Sequence, residues 1–229
     1  MLTDEMRSIL SDAKGAGWLM EPQAKRLLSL AGVDVARFTW ARDADEAVGF
    51  ARSIGYPVVA KIVSPRVVHK SDIGGVVVGI KDDEGLAATF ERFRKIDGFA
   101  GVLVEEPLKG MEIIVGAKMD HQFGPVLLLG AGGTAVEIYK DVALRMIPVR
   151  EGDIRSMVSG LKAHRLLEGY RGADPVDMEK LSSLLLSFSN LVMDMRGMVQ
   201  SIDLNPVMCS SSRCVVADGR IMLNTASLP

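Results

Sequence analysis

Up to Pro107 the chain alternates short β-rich runs with amphipathic helical stretches, and beyond it the alternation stops. Residues 57–63, 76–80 and 101–105 read as strands, and residues 44–53 and 82–95 read as helices. The first of these helices carries Ala47, Val48, Phe50 and Ala51 and stops at Gly55. Ahead of them, residues 3–14 have helical composition, and a helix restarts at Glu21 with Pro22 in its first turn, ending near Gly32. After Pro107, residues 111–118 and 125–129 follow one another as neighbouring strands with little helix between. Helices at 150–159, 162–168 and 177–194 and strands at 199–203, 215–218 and 221–223 close the chain. This order predicts an α+β (α/β) protein rather than a doubly wound sheet. The expected division is 1–107 and 108–229, with a hinge at Glu105-Glu106-Pro107-Leu108-Lys109-Gly110, where proline and glycine interrupt two strands.

A chain of 229 residues can bury a sizeable core as two lobes without covalent staples. Its 27 Lys and Arg against 29 Asp and Glu leave a net charge of -2, so nothing global favours nucleic acid or an anionic membrane surface. Phosphate binding, if present, must be local. The charged start Met1-Leu2-Thr3-Asp4-Glu5 does not resemble a signal peptide, and no apolar run approaches a membrane span, which predicts a cytoplasmic protein. Cys209 and Cys214 flank Ser210-Ser211-Ser212-Arg213 as if across a hairpin tip. They read as two free thiols, and with no nearby histidine they make a poor zinc site.

Lys61 ends an apolar strand, where one ammonium can meet a ligand phosphate, although a lone lysine there is usually just solvated. Gly74-Gly75 can turn tightly and expose amides to an anion, or serve any hairpin, and it matches no standard phosphate loop. Between them, His69 lies in a loop long for a plain hairpin. With a reference pKa near ~6.5, its imidazole keeps an unprotonated nitrogen able to attack phosphorus. The alternative is a surface histidine, which is how His121 and His164 read, one in a turn and one on a helix. Asp203-Leu204-Asn205-Pro206 ends a strand, and Asp218 lies on a returning one. Antiparallel pairing can set Asn205 beside Asp218 as oxygen ligands for Mg²⁺, with Asp203 on the same face as Asn205. Gly130-Ala131-Gly132-Gly133 leads into Glu137, which suits either a mobile loop or an exposed strand face.

Lys61, the run from His69 to Val76, Phe123-Gly124-Pro125, Gly130-x-Gly132-Gly133, Val136-Glu137, Gly169-Tyr170-Arg171-Gly172 and Asp203-Leu204-Asn205-Pro206 occur in this order. Together they resemble the ATP-grasp β subunit of the nucleoside-diphosphate-forming acyl-CoA synthetases, among them ADP-forming acetate–CoA ligase, over residues 19–223. The resemblance implies a two-lobed ATP-grasp fold holding nucleotide between its lobes, related to the β subunit of succinyl-CoA synthetase. It implies the reversible conversion of acyl-CoA, phosphate and ADP into acid, CoA and ATP through an acyl phosphate and phosphohistidines. It also implies a CoA-binding α subunit with its own phosphohistidine, in an α2β2 heterotetramer, with His69 on the swinging loop of this chain.

By the same resemblance, Lys61, Gly74 and Gly75 take the phosphate-binding positions of ATP or ADP. Glu105, Glu106 and Pro107 take the hinge that contacts adenine, and Glu112 the acidic ribose contact. Asn205 and Asp218 match the Mg²⁺ ligands, and Asp203 an acidic position near the phosphoryl path. Asp218-Gly219-Arg220 departs from the more frequent Asp-Ala-Arg but keeps the carboxylate. Two other functions share this fold. One is a regulatory ATP-grasp domain in a fused acyl-CoA synthetase or acetyltransferase, against which the retained His69, Asn205 and Asp218 argue. The other is a carboxylate–amine ligase, which needs no histidine carrier.

Overall fold

Strand β3 (Val58–Val63) is buried along its whole length, as a continuous apolar run requires when both faces of a strand are covered. The computed structural model describes residues 1–67, 70–133, 141–172 and 174–226. Residues 36–108 form one of two units, built on a four-stranded antiparallel sheet ordered β2 (Phe38–Ala41), β5 (Gly101–Glu105), β3 and β4 (Val76–Ile80). Helices α3 (Ala44–Ile54) and α4 (Asp83–Phe93) begin at Asp43 and Asp82, whose carboxylates accept from the amides of Glu46 and Gly85 at 2.8 Å each. Ala47 and Ala51 of α3 and Leu86, Phe90 and Phe93 of α4 share one buried cluster with Val58, Ala60, Ile62, Val102 and Val104. Each large apolar side chain so buried contributes about 1.5–3 kcal/mol.

The other unit joins Met1–Val35 to Lys109–Pro229. Its seven-stranded sheet runs β1 (Trp18–Leu19), β11 (Gly219–Leu223), β9 (Val199–Cys209), β6 (Met111–Asp120), β7 (Gly124–Ala131) and β8 (Val142–Met146), with β10 (Cys214–Val216) also paired to β9. On one face lie α1 (Asp4–Asp12), α2 (Glu21–Leu30), α5 (Glu151–Gly160), the single turn α6 (His164–Leu167) and α7 (Met178–Asp194), whose apolar residues join the sheet in a common core. Helix α7 buries Leu181, Leu184, Leu185, Phe188, Leu191 and Val192, the spacing of one helical face.

The grouping of residues 1–35 differs from the expected division at 107/108. Leu19 pairs with Ile221, the Val216 amide donates to the Asp34 carbonyl at 2.9 Å, and Leu27 and Leu28 are fully buried in the core that holds Leu204. The N-terminal helices therefore complete the core of the C-terminal unit. Strands β1, β2 and β8 are additions to the sequence reading. Cys209 and Cys214 are opposed across β9 and β10 as buried free thiols, and a hydrogen bond to Cys214 together with burial pushes the Cys209 thiol up. No helix among the described residues is long and apolar enough to cross a membrane.

Lys25 is completely buried, with its Nζ 3.1 Å from Glu21 Oε1 one turn earlier. Removing one partner of a buried pair strands the other charge, at a cost of about 3–5 kcal/mol. Glu21→Gln is expected to lose stability on that scale in urea unfolding, and an unchanged midpoint would show that the pair is not what holds α2 against the sheet.

Candidate functional site

In the smaller unit, Lys61 and Glu105 lie on adjacent strands, with Val59 opposite Glu105 and Lys61 opposite Leu103. Alternation turns Lys61 to the same face as Glu105, and its Nζ reaches Glu105 Oε1 at 2.8 Å with both residues buried. Lys61 is therefore a positioned ammonium, not a solvated one. Glu106 meets Arg37 through three hydrogen bonds of 3.0 Å: its carboxylate accepts from the Arg37 amide and Nε, and its amide donates to the Arg37 carbonyl. Its side chain is thus engaged in fixing the start of the connecting stretch that includes Pro107.

Gly74 caps the short helical turn Ser71–Ile73 with φ +65°, a conformation that favours glycine. A Cβ on Gly75 would lie 2.6 Å from Ile62 Cγ2 and 2.8 Å from the Lys70 carbonyl oxygen. Both amides donate inside the loop, Gly74 to Ser71 at 3.1 Å and Gly75 to Lys70 at 2.7 Å. The glycine pair therefore shapes the loop, and the expectation that it turns free amides toward an anion does not hold in this structure. His69, between Lys61 and this pair in sequence, lies outside the described residues, as does Glu137.

In the larger unit the site lies on the sheet face opposite the core. Ile113, Val115 and Ala117 point into the core, so Glu112, Ile114, Gly116 and Lys118 occupy the other face. Gly132 closes over Glu112, donating its amide to the Glu112 carbonyl at 2.6 Å, and a Cβ on Gly132 would collide with Glu112 at 2.6 Å. On β9, Leu204 is buried while Asp203 and Asn205 face outward. The Asn205 amide donates to the Asp218 carbonyl at 3.1 Å, which sets the two residues side by side as the hairpin spacing predicted. Partial loss of water raises the Asp203 carboxyl above the usual carboxylate range, the Asp218 charge raises it further, and Arg220 opposes both. A groove of about 640 Å³ runs from Asp203 past Gly116 and between Ile114, Leu128, Leu144 and Met146.

Among the described residues no cluster of three or more His, Cys, Asp or Glu could enclose a metal alone. Mg²⁺ does not need one, because it binds one or two carboxylates and fills its octahedron with water and phosphate oxygens. Asn205 and Asp218 fit that donor set, and the mutual repulsion of Asp203 and Asp218 favours a cation between them. The sequence reading missed Arg37 and gave no role to Arg220. No local signal links Arg37 to Glu106, whereas Arg220 is visible in the sequence as the residue two positions past Asp218. His121 in its turn and His164, whose Nδ1 lies 2.8 Å from the Leu161 carbonyl oxygen, sit where local structure accounts for them.

Residues 11–223 match the model of the ATP-grasp domain family. The β subunit of ADP-forming acetate–CoA ligase I of Pyrococcus furiosus is 38% identical over 95% of this chain and 97% of its own length. The chain belongs to the ATP-grasp family, among the ADP-forming acetate–CoA ligase β subunits. Another ATP-grasp relative, ADP-forming acetate–CoA ligase I of Archaeoglobus fulgidus, is 41% identical over 92% of this chain, which matches only 32% of that longer protein. Among solved structures, acetyl-coenzyme A synthetase 1 of Ca. Korarchaeum cryptofilum is 37% identical with a TM-score of 0.85, covering 96% of this chain and 100% of the matched one. That structure holds coenzyme A and Mg-AMPPCP, and its phosphohistidine segment points towards the nucleotide-binding site.

The Lys61–Glu105 contact makes the smaller ATP-grasp unit testable by itself. Lys61→Met and Glu105→Gln are each expected to lower stability in urea unfolding. In the double variant the losses should fall short of their sum by roughly 0.5–3 kcal/mol of coupling. Strictly additive losses would contradict a direct buried pair.

Proposed function

We propose that this chain is the nucleotide-handling subunit of an ADP-forming acid–CoA ligase and moves a phosphoryl group between His69 and ADP. The observation that supports it best is the backbone hydrogen bond from Asn205 on β9 to Asp218 in the connection between β10 and β11, in a chain that spans nearly the whole of a subunit bearing that activity's name. In the ATP-forming direction, the P–N bond of phosphorylated His69 breaks as a P–O bond forms to the terminal phosphate oxygen of ADP. The imidazole nitrogen keeps the electron pair. Asn205 and Asp218 would hold Mg²⁺, which would supply charge neutralisation at the phosphates.

The remaining residues bind and orient. Lys61, kept in place by Glu105, supplies a positive charge to the nucleotide phosphates. Gly74 and Gly75 set the base of the loop that carries His69. The segment Glu105, Glu106 and Pro107 receives adenine and Glu112 the ribose, while Asp203 lines the path of the phosphoryl group. Catalysis of this kind rests on positioning and on preorganised charge rather than on covalent chemistry beyond the histidine. A separate CoA-binding α subunit with a second phosphohistidine, in an α2β2 assembly, completes the reaction. The Archaeoglobus protein, of which this chain matches about a third, supports a partner body of that kind in one longer chain.

Incubation of the chain with γ-labelled ATP and Mg²⁺ is expected to give an acid-labile, base-stable label on His69. Chelation of the metal should abolish it, and Asp218→Asn should slow it and raise the Mg²⁺ concentration required. A His69→Ala variant that labels equally well would rule out the relay.

A further inference from the structure

Cys209 closes β9 and Cys214 opens β10, and the two stand directly opposite in the pairing of those strands. Just beyond them the Ser210 amide donates to the Arg213 carbonyl at 2.8 Å, which makes Ser210 and Arg213 a hydrogen-bonded pair. Antiparallel ladders alternate, so the cysteines one step inward form a non-hydrogen-bonded pair, the kind in which side chains approach most closely. Such pairs stand about 4.5 Å apart at Cα, within the roughly 4.4–6.8 Å that disulfides span. Opposed residues share a face, and a side-chain hydrogen bond already joins the two thiols.

The pair is buried, but only a short turn covers it. Ser211, Ser212 and Arg213 are exposed, and β10 is three residues long. Cys209 also lines a cavity of about 620 Å³ together with Ser210, Ser211 and Glu112. Opening the tip of the hairpin therefore uncovers the thiols without unfolding the unit. Inward from the cysteines, Val207 pairs with Val216, the Ala217 amide donates to the Pro206 carbonyl at 2.9 Å, and the Asn205 amide donates to the Asp218 carbonyl at 3.1 Å. One hairpin thus carries the cysteines near its tip and the proposed Mg²⁺ donors at its base.

We propose that Cys209 and Cys214 form a reversible thiol–disulfide site for low-molecular-weight disulfides, whose oxidised form clasps the hairpin that carries Asn205 and Asp218. In the first step one thiol gives its proton to solvent, and its sulfur attacks the small disulfide and releases one small thiolate. The other cysteine, deprotonated in turn, attacks the protein sulfur of the mixed disulfide and releases the second small thiolate. The cysteine pair is oxidised by two electrons, and the small disulfide is reduced to two thiols that take up the two protons. Excess small thiol reverses each step. The bond suppresses opening of the hairpin, so Asn205 and Asp218 lose less freedom when a cation binds them. That consequence rests on the reading above that these two residues hold Mg²⁺, whereas the thiol site does not.

The test equilibrates the full-length chain with glutathione and glutathione disulfide over a series of ratios, followed by alkylation and peptide mapping. The expected product is an intrachain Cys209–Cys214 bond, seen as the loss of two hydrogens with no glutathione retained, and dithiothreitol should restore both thiols. Mg²⁺ affinity, measured by calorimetry with ADP present, should be several-fold tighter in the oxidised chain. By linkage, Mg²⁺ should raise the equilibrium constant for oxidation by the same factor. In Cys214→Ala the Mg²⁺ affinity should not respond to the oxidant; should that variant fail to fold, agreement of the two factors in the unmodified chain decides. Thiols that stay reduced across the series, or that oxidise only after unfolding in urea, overturn the site. A disulfide that forms while Mg²⁺ affinity stays the same overturns the clasp. A reduced chain that binds no Mg²⁺ beyond what ADP alone takes up removes the metal reading, and the mapping then decides the thiol site by itself.

Discussion

Strand β9 bonds to β6, β10 and β11, and its register decides which of its side chains meet the core. Ile202, Leu204 and Val207 are buried, and that burial pins the strand. Because side chains alternate along a strand, a slip of one residue would carry Asp203 and Asn205 inward and Leu204 out to water. The polar group at the site is therefore positioned by the apolar residues between its members. The same ladder places Arg220 opposite Asp203, and the Asn205 amide on the Asp218 carbonyl joins the two strands at that end.

The smaller unit solves a different problem with similar means. Strands β3 and β5 are buried throughout, so any charge they carry has to bring its partner with it. Lys61 and Glu105 do so across the β3–β5 pair. A lysine held this way presents its ammonium with little freedom to reorient. Glu106 applies the same economy one residue later, fastening the chain to Arg37 just where it leaves the strand.

Much of this was legible because the sequence states its periods clearly. The helices that begin at Asp43 and Asp82 carry their capping residues, and Gly101–Glu105 is an unbroken β-rich run, so expected and observed bounds nearly coincide. Strand β2 is three half-buried residues and one buried, and β8 is exposed along most of its length, so neither offers the alternation that identifies a strand. The attachment of residues 1–35 to the C-terminal unit depends on long-range pairing of Leu19 with Ile221, which no local pattern announces. The adjacency of Asn205 and Asp218 was legible because a hairpin relates them at a fixed spacing. The hydrogen bonds that engage the Gly74 and Gly75 amides could not be read, since glycine pairs serve tight turns and anion cradles with the same composition. Arg220 escaped notice for a related reason: only the structure shows that it stands opposite Asp203 across the β9–β11 pair.

The apolar wall beside Asp203 gives these charges their strength. Ile114, Leu128, Leu144 and Met146 line the groove that ends at this carboxylate, and the loss of water there is the largest cause of its raised affinity for a proton. Asp203 keeps an exposed side, but where its surroundings lose water the attraction between neighbouring charges grows as the local dielectric falls. With a net charge of only -2 across the whole chain, no long-range field can draw a phosphate in. Recognition must come from a few cations placed where water is scarce. Along the described part of this face Arg220, opposite Asp203, is one such cation, and it offsets part of the repulsion that a carboxylate pair exerts on an anion.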